Sequence, residues 1–364
     1  MPTSYWDYIR VEDLLALQSG LDKDEKRLSN HEVLFIAVHQ VFELWFKLVL
    51  RECVALRDVL KQPRVPEPDM ATASRSLDRM CRIFRSAATH WEVVESLNTR
   101  DYLDFRDKLF PASGFQSAQL REVEILLGLS DEERVGFGAD GGYLSALKAA
   151  GGKPSPALAR VEARRKDRPT VREALDTWLH RTPIRGSQPA DAGDAAVVDA
   201  FLGEYLDRLK AQVKQTASYA HGTDLSGAAP AALEERYAAE IASAEAFLRV
   251  KDPHRRRIRA AILFIEGYRD LPLLAWPQEV LSRLVEMEEL FLVFRQRHAR
   301  MVERVIGRRV GTGGSSGVDY LDQTATAYRI FRDLWTARTF FLRRDLLPPL
   351  RDPSPYEFRG RFAH

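Results

Sequence analysis

Between Glu32 and Leu60 large apolar residues return every three or four positions, at Phe35, Val38, Phe42, Trp45 and Val49. Charges at Glu43, Lys47, Arg51 and Glu52 are spaced among them. That period belongs to a helix, and its length commits the chain to a long helix whose apolar stripe other helices must cover. Asn30 suits the N-cap, and Glu32 in the first turn suits the helix dipole.

The rest of the chain repeats the pattern. Helical spacing predicts helices over Asp69–Ser96, just after Pro66 and Pro68, and over Gln119–Leu127, which stops at Gly128. Thr170–His180, Ala195–Tyr219, Glu234–Val250, His254–Tyr268 and Pro277–Ile306 read the same way. Residues 131–155 and 183–194 are broken by Gly and Pro and read as loops or insertion boundaries. No segment alternates with period two between turn pairs, and there is no internal repeat. The expected fold is all-α: a helical bundle forming one domain over 1–364, with a loop-rich helical insertion at about 130–235.

A chain of 364 residues can bury a large core without a disulfide or metal staple. Its 54 basic residues against 52 acidic leave a net charge of +2, so no basic excess points to a nucleic-acid partner. Two cysteines, Cys53 and Cys81, make neither a disulfide framework nor a zinc site. Apolar runs reach only six residues, as in Val33–Val38, and Met1–Arg10 lacks the apolar core of a signal peptide. The expectation is a cytoplasmic protein without a membrane segment.

Two of the eight histidines stand on apolar helix faces. His39 shares a stripe with Phe35, Phe42 and Phe46, so Phe35 and His39 should point into one aromatic-walled space. His298 shares another with Phe294, Met301 or Val302, and Val305, while Arg295, Arg297, Arg300, Glu303 and Arg304 read as its solvent side. A single inward histidine is more often a core residue than a ligand. Two of them also fit an apolar slot for a heme, one imidazole axial and the other free for distal chemistry.

Gly311–Gly317 holds four glycines with Thr312, Ser315 and Ser316. It lacks the Lys of a phosphate loop and the third glycine of a dinucleotide fingerprint, so it reads as a loop able to close over a small polar ligand, or as a plain connector. His31-Glu32 opens like a zincin helix, but Phe35 stands where the second His belongs. Tyr102 and Arg106 lie one helical turn apart. Arg106 suits either a carboxylate clamp or a surface pair with Asp104 or Asp107.

Taken together, these pieces resemble one family. His31–Lys47, Phe105-Arg106 leading into Pro111–Ser117, and His298 followed by Met301–Gly307 and the Gly311–Gly317 loop are similar to the signature of tryptophan 2,3-dioxygenases. The similarity runs from Tyr5–Tyr8 to Leu346 and includes Trp178–Pro183, which is like a segment of the longer animal members.

The resemblance implies an all-α heme b enzyme with one heme per subunit, ferrous when active, in a homotetramer built as a dimer of dimers. Its reactants would be L-tryptophan and O2, its product N-formylkynurenine. It implies that His298 ligates the iron, that His39 is the distal catalytic histidine, and that Ser113 and Gly114 lie against the heme. Phe35 and Tyr102 would wall the indole, Arg106 and Thr312 would hold the amino-acid end, and Tyr5, Tyr8 and Ile9 would reach a neighbouring subunit's site. Phe294 stands where the family usually has Trp, and Gln296 where an aromatic is common, both expected beside the ligand. The alternatives are a heme monooxygenase of a substituted tryptophan, separable by product mass, and a heme-binding sensor without turnover.

Overall fold

The computed structural model describes residues 3–110, 114–136, 142–149, 152–222, 230–309 and 317–358. Among them there is no strand, only an isolated bridge between Ile184 and Ser187. The fold is all-α.

In chain order the helices are α1 (Tyr5–Tyr8), α2 (Val11–Leu15), α3 (Asn30–Leu60), α4 (Glu67–Glu95), α5 (Thr99–Arg106), α6 (Ala118–Leu127), α7 (Gly142–Ala146) and α8 (Pro156–Lys166). Then come α9 (Val171–Arg181), α10 (Asp194–Gly222), α11 (Pro230–Leu248), α12 (Pro253–Gly267), α13 (Pro272–Ile306), α14 (Gly317–Ala327) and α15 (Arg332–Arg338). Contacts divide the chain into two compact units. One comprises Met1–Val54, Asp78–Thr170 and Glu286–Ile330; the other comprises Ala55–Leu77, Val171–Val285 and Phe331–His364. Of the stretch expected as an insertion, residues up to 170 belong to the first unit and those from 171 to the second.

The first unit is centred on aromatic contacts among α3, α4 and α13. Phe42 meets Trp91 at 4.2 Å and Phe294 at 5.6 Å between ring centroids, and Phe84 stacks on Phe291 at 4.6 Å. The α3 start lies one residue before expectation: the Ser29 hydroxyl accepts from the Glu32 N–H (3.2 Å), and Asn30 is already helical. By length and composition alone α3 has a window apolar enough to cross a bilayer, which its short apolar runs concealed because single polar residues interrupt it. Its Val38, Phe42, Phe46 and Val49 are buried in the core, while Leu44 and Leu48 are exposed.

Against α6, α8 and α7 place Leu158, Val161, Tyr143 and Leu147 in a second small core with Ala118 and Ile125. Helix α8 falls just after the Gly-broken stretch. Its cap is conventional: Ser155 accepts from Leu158 N–H, and Pro156 opens the first turn. Gly128 ends α6 in the left-handed conformation (φ 119°), the geometry glycine tolerates best.

In the second unit Arg257 is the polar centre. Its Nη1 donates to both Asp194 oxygens (2.7 Å each), Nε to His180 O (2.7 Å), and Nη2 to Thr182 O and Ser187 O (3.0 and 3.2 Å). Phe201, Tyr205, Phe264 and Phe340 supply large fully buried side chains there.

Candidate active site

A mostly apolar cavity of about 430 Å³ lies wholly within the first unit. Helix α3 gives it Phe35, His39 and Glu43; α5 gives Tyr102; α13 gives Phe294, Arg295 and His298. Gly317, the last residue of the Gly-rich loop, and Tyr320 and Thr324 of α14 complete one side. Residues 35, 39, 102, 114 and 298, singled out in the sequence, therefore wall one chamber.

His298 stacks face to face on Trp91, with centroids 4.5 Å apart and planes within 1°. A methyl group on Gly114 would stand 3.9 Å from its Cε1, which puts that glycine directly beside the ring. Burial, helped by the neighbouring His39 and Arg295, pushes the His298 pKa down to about 3. The imidazole is thus neutral, the form that ligates a metal.

His39 is fixed by its own helix. Its Nδ1 lies 2.7 Å from the Phe35 carbonyl oxygen. A carbonyl only accepts, so Nδ1 carries the hydrogen and Nε2 is left with a lone pair. Burial lowers the His39 pKa, against the opposing pull of that bond and of Glu43, so the ring stays neutral. Phe35 packs on His39 at 4.1 Å and meets Tyr102 at 6.0 Å and Phe105 at 5.6 Å, forming an aromatic corner.

Arg106 hydrogen-bonds to the hydroxyl of Tyr102, whose pKa burial raises. It is half-buried beside the cavity and is not among its wall residues. Tyr5, Tyr8 and Ile9 are exposed on and beside α1 and are not among the residues lining this chain's cavity. Ser113 and Thr312 lie outside the described residues.

Two assignments change. Arg295 was expected on the solvent side of α13, yet it is buried: Nη2 donates to Glu124 at 2.8 Å, and its guanidinium covers Phe291 (4.2 Å) and Tyr328 (4.9 Å). Gln296 was expected beside the ligand but is exposed, whereas Phe294 is buried and lines the cavity. The position three before His298, not two before, faces the site.

The sequence reading missed several residues on the wall or directly behind it. Glu43 seemed one more solvent charge; it accepts from Ser117 Oγ (2.6 Å) and Gln119 Nε2 (2.8 Å), which ties α6 to α3 one turn beyond His39. Arg121 and Glu124 form a buried pair, and the only signal was an oppositely charged i, i+3 pair in a helix that also carries Gln119 and Glu122. Trp91 carried no signal beyond helical spacing. Among the described residues there is no group of three or more His, Cys, Asp or Glu able to hold a metal ion.

An all-α chain with a mostly apolar chamber, two neutral imidazoles and an aromatic corner fits a class: helical enzymes whose site takes an apolar aromatic reactant. The sequence comparisons narrow it. The family model for tryptophan 2,3-dioxygenase matches residues 1–341, and the chain belongs to that family. It is 53% identical to a tryptophan 2,3-dioxygenase of Sorangium cellulosum, covering 98% of this chain and 87% of that one. It is 50% identical to tryptophan 2,3-dioxygenase 2 of Ralstonia nicotianae, covering 98% of each. A tryptophan 2,3-dioxygenase-like protein of Xanthomonas campestris is 51% identical over 72% of this chain.

Proposed function

We propose that this chain is an L-tryptophan 2,3-dioxygenase, inserting both atoms of O2 across the indole C2–C3 bond to give N-formylkynurenine, the first step of tryptophan catabolism. The observation that carries the reading is the chamber itself. His39 and His298, from opposite ends of the chain, wall one cavity with the Phe35–Tyr102 corner, in a chain half-identical to enzymes of that name.

The cofactor would be heme b. The donor set fits it: a neutral His298 imidazole in an apolar chamber, and on the same wall the buried Arg121, whose Nε has no hydrogen-bond partner. That cation, with Arg295, suits the carboxylates of a porphyrin. When bound, heme supplies the iron at which O2 is activated.

The chain's own residues do the rest. His298 would hold the iron, with Trp91 fixing the plane of its ring and Gly114, beside Ser113, leaving room next to it. His39 Nε2 would accept the indole N–H, which orients the ring and rejects analogues without that donor. Phe35 and Tyr102 would wall the indole and exclude water. Arg106, steadied by Tyr102, would pair with the substrate carboxylate, and Thr312 would bind the amino-acid end.

The assembly would be a homotetramer, with Tyr5, Tyr8 and Ile9 reaching a neighbour's site. The exposure of those residues and of Leu44 and Leu48 supports an interface. Two buried cysteine thiols, Cys53 and Cys81, suit a cytoplasmic address.

The test is direct. The purified protein, loaded with heme and reduced, is given L-tryptophan and ¹⁸O₂; the product should carry two labelled atoms. A single labelled atom would point to monooxygenation, and none with intact heme would point to a binding protein. His298→Ala should lose heme, and an unchanged Soret band in that variant would refute the ligand assignment.

A further inference from the structure

Glu124 is completely buried, and three guanidiniums converge on it. Arg121 Nη1 reaches both carboxylate oxygens (3.1 and 3.0 Å), Arg134 Nη1 one of them at 2.6 Å, and Arg295 Nη2 the other at 2.8 Å. Arginine does not deprotonate in proteins. One carboxylate against three such cations leaves the cluster itself with a surplus of two positive charges, against which stand Glu43 on the same cavity wall and the porphyrin carboxylates that Arg121 and Arg295 would meet. Asp131 offsets part of it from 3.6 Å, but it is 45% exposed and also bound to Arg165.

Aromatic faces brace the cations. Arg134 lies over Tyr143 at 4.3 Å, and Arg295 over Phe291 and Tyr328. A buried ion cluster is no cheap route to stability, because hydrocarbon of the same volume often serves as well or better. A surplus of like charge is costlier still. Its position suggests its use: Arg121 and Arg295 line the cavity, and Arg295 sits one helical turn before His298.

We propose that Glu124 is a positioning residue that holds this surplus positive charge on the cavity wall, and that the surplus raises the reduction potential of the iron carried by His298. The inference rests on the heme reading above. Losing one electron from ferrous iron adds one positive charge to the site, and in a poorly screened interior nearby cations oppose that gain. The cluster thereby favours the ferrous form, to which O2 binds, and resists drift to the ferric one. Arg134 contributes charge without being a wall residue, so it can be changed without removing a contact to the cofactor.

The experiment is a spectroelectrochemical titration of the heme-loaded protein, using mediators and dithionite as the one-electron donor. Arg134→Met should lower the ferrous-to-ferric ratio roughly tenfold at the poise where the parent is half reduced. Arg134→Lys, which keeps the charge, should stay near the parent. Glu124→Gln should raise the ratio, the opposite of what general loosening and water entry would do. The Arg134 pair decides the matter whether or not the Gln variant folds. An unmoved ratio in Arg134→Met, or an equal fall in Arg134→Lys, overturns the proposal. Parent protein that takes up no heme overturns the reading beneath it; parent that takes it up while the variants fail this pattern overturns this inference alone.

Discussion

The hydrogen bond within α3 makes a sharp prediction about substrate choice. Because Nδ1–H of His39 is spent on the Phe35 carbonyl at 2.7 Å, the ring can offer only an acceptor to the ligand. L-Tryptophan supplies a donor there; an analogue with sulfur in place of the indole N–H, at nearly the same size, does not. One hydrogen bond is worth about 0.5–1.5 kcal/mol net, and leaving the buried acceptor unsatisfied costs about 1–3 kcal/mol. The parent should therefore prefer L-tryptophan over the benzothiophene analogue by about 1–3 kcal/mol, roughly 5- to 150-fold. In His39→Leu that preference should collapse. Measuring both ligands on both proteins by anaerobic calorimetry forms a cycle in which volume effects cancel. Since burial keeps His39 neutral, the preference should not change between about pH 6 and 8. If the coupling is below about 0.3 kcal/mol, the scatter of independent sites, His39 does not read the indole nitrogen.

Arg106→Ala should leave heme uptake intact and weaken tryptophan binding by about 2–5 kcal/mol, because the substrate carboxylate loses its partner in a dry site; unchanged affinity by calorimetry would move the carboxylate elsewhere. Arg257→Met strands the mostly buried Asp194 and three backbone carbonyls, and should cost about 3–5 kcal/mol in urea unfolding. A loss below about 1 kcal/mol would show that solvent replaces those bonds. Burial raises the Cys53 thiol from 9.0 to about 12, so between those values the unfolded chain releases a proton that the folded one keeps. Stability should then fall by about 1.4 kcal/mol per pH unit in that window, read as the difference between parent and Cys53→Ala at about pH 8 and pH 10; parallel curves would show a thiol that ionises in place.

Much of this architecture was legible from residue spacing, and the failures have physical causes. Periodicity located α3, α4 and α10 because each has a buried stripe long enough to average over exceptions. It started α13 late because Pro277 looked like a beginning, although the helix begins at Pro272 and carries Pro277 inside. The two histidines could be singled out because an imidazole on an apolar stripe is conspicuous. Glu43 and Arg295 could not, since a charge beside a stripe reads as solvent-facing unless its partner is known. Those partners, Ser117, Gln119 and Glu124, lie on another helix. Spacing reports the face of one helix, whereas a buried charge is an agreement between two.

The chamber draws His39 from α3 and His298 from α13, so nearly the whole chain must be made before both walls exist. At about 5–20 residues per second, tens of seconds of synthesis separate the two histidines. On the proposed reading, a nascent chain carrying only the first has half a pocket and lacks the histidine assigned to the iron. With His298 as the proposed ligand, cofactor capture would be a late event in the life of each molecule, and a chain terminated before residue 298 would lack that ligand.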